Sequence, residues 1–235
     1  MLADEVEHHV GHYPATVPLS AHSLEDSRAT GAYRNVKLSQ VSLAHDLLIS
    51  SDGLSIRRMR DLPQDWEQMR KWRSLPHVLE WWWSDDQPAP PTLEELVEEY
   101  APDVRGETPT TDCFIEVDVR PIGFTQFYPW AGYPTEMPEI GVLLPERFWG
   151  IDTFIGDPQL LSRGYGSRAV ALLIRYLLEQ RGAAGVALVV ARENHRAQRA
   201  YQKAGLHRVR EVLDIDRRHG ERIPSYLMST DPKIS

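Results

Sequence analysis

A short glycine-bearing segment, Leu161-Ser-Arg-Gly-Tyr-Gly-Ser167, stands between a β-like run, Phe148-Trp-Gly-Ile-Asp-Thr-Phe-Ile155, and an apolar helical run from Ala169 to Leu178. A strand, a tight turn and a helix in this order constrain the chain more than any other feature. Gly164 and Gly166 let the backbone turn its N–H groups toward one point, and Arg163 adds a cation. The helix that starts near Gly166 aims the positive end of its dipole at the same place, so an anion of the pyrophosphate kind is expected there. A glycine pair before a helix also occurs in plain loops, so the rest of the chain has to decide.

The following segments extend the pattern. Val186-Ala-Leu-Val-Val190 is short, apolar and β-branched, as a buried strand is. It leads into Asn194-His-Arg-Ala-Gln-Arg-Ala-Tyr-Gln-Lys-Ala-Gly-Leu206, where Asn194 is the expected N-cap and Gly205 the stop. Ala197, Ala200, Tyr201 and Ala204 share one face of that helix, and Lys203 lies in its last turn. Strand, Arg-Gly-x-Gly turn, helix, strand and Asn-x-x-Ala-x-x-x-Tyr-x-Lys-x-Gly, in that order, resemble the GCN5-related N-acetyltransferases. The resemblance implies a mixed α/β (α+β) fold, with a central, mostly antiparallel, splayed β-sheet flanked by helices. It also implies that the turn binds acetyl-coenzyme A, whose acetyl group moves to an amine.

Further segments narrow it. Leu75-Pro-His-Val-Leu-Glu-Trp-Trp82, Pro91-Thr-Leu-Glu-Glu-Leu-Val-Glu-Glu-Tyr100, Pro121-Ile-Gly-Phe-Thr-Gln-Phe-Tyr128 and Gly150-Ile-Asp-Thr-Phe-Ile155 are similar to segments of the aminoglycoside 6′-N-acetyltransferases, enzymes of antibiotic resistance. The likeness runs in order from about Ile56 to Met228. It implies cofactor contacts at Thr153, Phe154 and Ile155, at Arg163, Gly164, Tyr165, Gly166 and Ser167 of the turn, and at Asn194 and Tyr201. Acceptor-side positions are Trp81, Trp82, Tyr100, Gln126, Tyr128 and Asp152, with Glu139 among the carboxylates that precede the Asp152 strand; Trp130 and Tyr133 prolong that surface. Two departures concern the acceptor. Val189-Val-Ala-Arg-Glu-Asn194 lacks the Asp-Pro that such enzymes carry before this asparagine, and Trp130 to Trp149 is differently composed and proline-rich.

The chemistry explains the residue types. An alkyl ammonium with a pKa near 10 must lose a proton before its nitrogen can attack a thioester. A carboxylate beside it attracts the cation and then accepts that proton. The aspartate of Gly-Ile-Asp has this role in the resembling enzymes, and the resemblance carries it onto Asp152; read alone, a strand-end aspartate also serves to cap a backbone N–H. Backbone N–H groups of Thr153 to Ile155 are placed to meet the pantetheine arm and the carbonyl where charge develops. Tyr201 is either the acid for the departing thiolate or a packing residue on its helical face. Three successive tryptophans, Trp81, Trp82 and Trp83, cannot all face one core, so at least one is expected at a cleft, beside Glu80, Asp85 and Asp86.

Composition agrees with a cytoplasmic enzyme. At 235 residues, 42% hydrophobic and 26% charged, the chain has enough apolar material for one sizeable core. A net charge of −8 argues against nucleic acid and suits a small cationic amine as partner. No apolar run approaches the ~20 residues of a membrane span. The single cysteine, Cys113, lies in a strand-like run and excludes an internal disulfide or a multi-cysteine metal site; His8, His9 and His12 read as a solvated tail, and no metal is expected. Residues 1–53 form an N-terminal extension, in which Arg34 to Ile49 is apolar enough for one element, and residues 54–235 form the acetyltransferase domain, as monomer or homodimer. The spacing predicts strands at Leu54–Met59, Cys113–Val119, Ile122–Tyr128, Arg208–Asp216 and Ser225–Ser229, with a turn at Arg120-Pro121. Helices are expected over Asp65–Arg73 and Leu93–Tyr100, the second behind a Thr92/Glu95 capping box. Two other functions fit the same sequence: acylation of an amine or hydroxylamine in siderophore assembly, suggested by Ile155-Gly-Asp-Pro158, or a noncatalytic acyl-coenzyme A sensor.

Overall fold

The computed structural model of the chain describes residues 46–82, 90–216, 221–231 and 233–234. His8, His9, His12, residues 34–45, Trp83, Asp85 and Asp86 lie outside the described residues. Two hairpins start the sheet. β1 (Leu47–Ser51) turns at Asp52-Gly53 into β2 (Leu54–Arg58), with φ of 51° and 75° at those two residues. An Asp-Gly pair in left-handed backbone gives the primed turn that matches strand twist, so the sheet already begins at Leu47. β3 (Thr111–Val117) returns through Asp118-Val119 into β4 (Arg120–Pro129). That turn was expected at Arg120-Pro121. It sits instead on Asp118 and Val119, with φ of 48° and 60°, while Pro121 pairs with Glu116 beside a bulge.

Helices fill the crossovers. α1 (Pro63–Arg73) and α2 (Pro76–Leu79) each open on a proline, whose missing N–H costs nothing in a first turn. α3 (Leu93–Val104) carries the expected capping box: the Thr92 hydroxyl accepts from the Glu95 N–H at 3.2 Å, and the Glu95 carboxylate accepts from the Thr92 N–H at 2.7 Å. It runs past Tyr100 through Pro102, because Arg105 and Glu107 still donate to Ala101 and Pro102. A 3-10 turn at Trp130–Gly132 and a short helix, α4 (Glu136–Glu139), then lead to β5 (Phe148–Ile155). α5 (Tyr165–Gln180), β6 (Gly185–Ala191), α6 (His195–Lys203), β7 (His207–Asp216) and β8 (Glu221–Ser229) complete the order. No described helix is long and apolar enough to cross a membrane.

The strands form one eight-stranded sheet, ordered β1-β2-β3-β4-β5-β6-β8-β7, in which only β5 and β6 run parallel. Those two pair at Phe148–Gly185 and Trp149–Val186 and then part. α5 packs on one face over Ile115, Ile151, Leu188 and Met228; α1 and α3 pack on the other over Phe114, Phe124 and Phe154. On the second face the register sets two parallel rows, Phe114–Phe124–Phe154 and Asp112–Gln126–Asp152. Cys113 points to the first face, buried in the core under α5 as a small core residue.

Gly150 shows how tightly β4 and β5 are matched. A Cβ there would come within 2.3 Å of the Tyr128 ring, which lies 1% exposed against Trp130 at 5.0 Å and Tyr133 at 5.3 Å between ring centres. Overpacking of this kind costs about 1–3 kcal/mol. Gly150→Ala is therefore expected to lower the melting temperature by roughly 3–10 °C, read by circular dichroism; an unshifted transition would show that the ring is free to move.

Candidate active site

A cleft of about 770 Å³ opens where β5 and β6 separate. Its walls are Thr153, Phe154 and Ile155 on one side and Val189, Val190 and Ala191 on the other. Asp152 stands at its centre, half-buried, with its Oδ2 accepting from the Gln126 side-chain amide at 3.0 Å. The backbone beneath is pinned: the Thr125 hydroxyl donates to the Asp152 carbonyl at 2.9 Å and lies 2.8 Å from the Thr153 hydroxyl. At the strand end, His77 Nε2 is 3.0 Å from the Ile155 carbonyl oxygen. Tyr201, 8% exposed, faces the same cleft. Burial, and secondly the Asp152 charge, push its phenol well above the ordinary range, so it stays protonated through neutral pH.

One end of the cleft is built for an anion. Gly164, at φ 85°, is the N-cap of α5, and Gly166 and Ser167 in the first turn line the cleft. That turn holds no acidic residue to compete for its free N–H groups. Across from it, α6 turns Arg196, Arg199 and Lys203 into the cleft, which the sequence reading missed. Their period of three and four residues was legible, but an exposed basic helix face reads as plain solvation. Asn194 caps α6 as expected, accepting from the Ala197 N–H at 3.0 Å, and also lines the cleft. Arg163 and Tyr165 flank the turn, and neither is among the lining residues.

The other end is acidic and aromatic. α3 presents Glu95, Glu98, Glu99 and Asp103 to the cleft, and β7 adds Asp214. None of these five was singled out as a substrate position, because carboxylates three and four apart on a helix resemble a solvated face. Trp81, Trp82, Tyr100 and Gln126, which were singled out, line the same end. Trp82 is held in place: its indole N–H donates to the Tyr100 hydroxyl at 2.9 Å, and its ring meets Phe154 and Phe124 edge-on at 4.9 and 5.5 Å. The buried Arg73 guanidinium also donates to the Tyr100 hydroxyl. Tyr128 and Glu139 are not in this cleft. Tyr128, with Trp130 and Tyr133, packs in a separate cluster over Gly150, and Glu139 lines a small cavity with Trp130 and Met137.

The chain belongs to the GNAT acetyltransferase family, whose acetyltransferase (GNAT) domain matches residues 61–213. It is thereby an N-acetyltransferase that uses acetyl-coenzyme A. Among curated proteins it is similar to the aminoglycoside N(6′)-acetyltransferases type 1 of Klebsiella pneumoniae and Serratia marcescens. Each is 28% identical over 171 residues, which cover 71% of this chain and 80% of the relative. Among solved structures it is similar to aminoglycoside acetyltransferase AAC(6′)-Ib in complex with coenzyme A and kanamycin, with 26% identity and a TM-score of 0.63, covering 75% of this chain and 93% of that one. The same enzyme with ribostamycin and coenzyme A gives 26% identity and a TM-score of 0.64, with 76% and 93% covered. The residues present fit the cofactor: a strand edge open along Thr153–Ile155, a helix N-terminus and three cations border one continuous cleft.

Two outcomes follow from the charges. Burial, outweighing the Thr108 hydroxyl bond and aided by the Glu99 charge, lifts the Asp103 carboxyl to about 6, against about 3.9 for an unfolded aspartate. The folded state therefore holds the proton more strongly, and stability falls as pH rises from about 4 to about 6. Asp103→Asn should flatten that part of the melting-temperature profile and leave the protein more stable than the parent at pH 7.5; a parallel profile would refute the buried titration. At the opposite end, Arg199→Ala combined with Lys203→Ala should weaken acetyl-coenzyme A binding by about 3- to 30-fold at low salt, with the difference shrinking as salt is added, measured by calorimetry.

Proposed function

We propose that the chain acetylates the 6′-amine of aminoglycosides, with Asp152 as the base and Tyr201 as the acid. The observation that carries this reading is the polarity of the cleft: cations and a helix N-terminus at one end, carboxylates and tryptophans at the other, with Asp152 between. Acetyl-coenzyme A supplies an acetyl thioester, activated toward a neutral amine. Asp152 attracts the acceptor ammonium and takes its proton, directly or through water, freeing the nitrogen lone pair to form the C–N bond. The Gln126 amide bonded to the Asp152 carboxylate fixes the direction from which that proton arrives. Backbone N–H groups at Thr153 to Ile155 stabilise the negative charge that develops on the carbonyl oxygen, at about 3 kcal/mol per well-placed donor. As the C–S bond breaks, Tyr201 gives its proton to the sulfur and regains one from the nitrogen, which sheds its second proton on becoming an amide. Asp152 returns its proton to solvent, so no covalent enzyme intermediate is needed.

The acidic acceptor end favours a cationic amine over the siderophore-type acceptor, which suits a less acidic pocket. Purified protein mixed with acetyl-coenzyme A and kanamycin A should release thiol and yield a singly acetylated product, placed at the 6′-nitrogen by mass spectrometry and NMR. An otherwise similar aminoglycoside with a hydroxyl at 6′ should not react. Asp152→Asn should lower kcat by about 10²- to 10⁴-fold while acetyl-coenzyme A still binds. Turnover that survives this substitution, or that ignores the 6′-group, would discard the assignment.

A further inference from the structure

Asp112 of β3 is the most anomalous polar residue in the described core. It is 2% exposed, and neither of its carboxyl oxygens has a hydrogen-bond partner among the described residues. An unpaired buried carboxyl carries a desolvation penalty, whereas an apolar side chain of similar size would stabilise the same position, so packing alone does not account for an aspartate here. Its direction is known from the register. Asp112 pairs with Gln126, which pairs with Asp152, and the three occupy one row on the face covered by α3. The charged groups that bear on it are Asp103 first and Glu99 second, both lining the acceptor end of the cleft. Among the described residues, the cation that pairs with one of these three carboxyls is the Arg73 guanidinium, 3.5 Å from Glu99.

We propose that Glu99 and Asp103, above Asp112, form a second ammonium subsite that holds another amine of a polycationic acceptor while Asp152 receives the reactive one. The proposal rests on the acceptor class inferred in the preceding subsection and adds where its second charge goes. Burial first, and then the charges of the neighbouring carboxylates, hold the Asp103 and Asp112 carboxyls above their usual range. An incoming ammonium supplies opposite charge and favours the ionised form of both groups. Asp112 and Asp152 lie two strands apart, which at about 4.8 Å per strand is on the order of 10 Å. One amino group cannot touch both places. The acceptor that fits carries its amines on separate rings or at the two ends of a chain.

The test compares kanamycin A with methyl 6-amino-6-deoxy-α-D-glucopyranoside, which keeps the reactive amine and lacks the others. In Asp103→Asn and in Asp112→Asn, the ratio of kcat/KM for kanamycin A to that for the monoamine is expected to fall about 10- to 100-fold, mainly through the KM for kanamycin A. A loss shared equally by both acceptors would mean a structural role only and overturn the subsite, as would a ratio equal to that of the parent. If Asp112→Asn does not fold, Asp103→Asn decides. If the parent protein acetylates neither compound, the acceptor assignment fails by itself. The subsite is then read from calorimetric binding of kanamycin A to the protein with coenzyme A: about 10-fold weaker binding in Asp103→Asn sustains it, and equal or undetectable binding in parent and variant removes it.

Discussion

The parting of β5 from β6 after two residue pairs governs this molecule. Up to Trp149 and Val186 the strands satisfy each other; beyond them, each has an edge of N–H and C=O groups facing open space. A backbone edge without partners is tolerated only where water or a ligand meets it, and here it faces a cleft. Neighbouring parts converge on that opening. α5 begins at one mouth, α6 forms a lip, and His77 from α2 holds the Ile155 carbonyl where the strand would otherwise fray. Gln198, 1% exposed, does the same on the opposite strand by donating to the Ala191 and Arg192 carbonyls at 2.9 and 2.8 Å.

Rigidity around the gap comes from polar groups as much as from apolar ones. Arg57 joins Asp65 of α1 at 2.6 Å and Glu116 of β3 at 2.7 Å while lying 4.8 Å over the Phe114 ring, so a single guanidinium ties a helix to two strands. Removing one partner from such a buried group costs about 3–5 kcal/mol, more than the pair itself contributes. The chain of contacts from Arg73 through the Tyr100 hydroxyl to the Trp82 indole orders the acidic, aromatic end of the cleft in the same way. Trp72, Phe114, Phe124 and Phe154 seal the space beneath, meeting edge-on except where Phe124 stacks on Phe154.

How much of this was legible depends on how local the cause is. The Thr92 capping box, the Asn194 cap, the β5 strand and the glycine turn before α5 are settled by residues a few positions apart, and each is found where the sequence places it. Asp152, Gln126, Tyr100, Trp81 and Trp82 share the cleft with Tyr201, as their common motif order suggested. What the sequence hid depends on register between distant strands. Tyr128 follows Gln126 by two positions and so points to the same face, yet it is sealed by Gly150, its partner on β5. The carboxylates of α3 and the cations of α6 carry no local mark that separates a cleft wall from a solvated surface; only the fold turns them inward. The hairpin at Asp118-Val119 was missed because neither residue is the glycine that such a turn usually announces.

The division of charge along the cleft bears on how a catalytic cycle ends. With the acceptor proposed here, the reaction converts a cation into a neutral amide beside Asp152, and the attraction that brought the group in disappears with the bond that forms. The cofactor end keeps its charge complement, since coenzyme A retains every phosphate after giving up its acetyl group. Affinity is thus lost on one side of the cleft and retained on the other. Such an enzyme sheds its modified acceptor first, and inhibition by spent coenzyme A should outweigh inhibition by the acetylated amine.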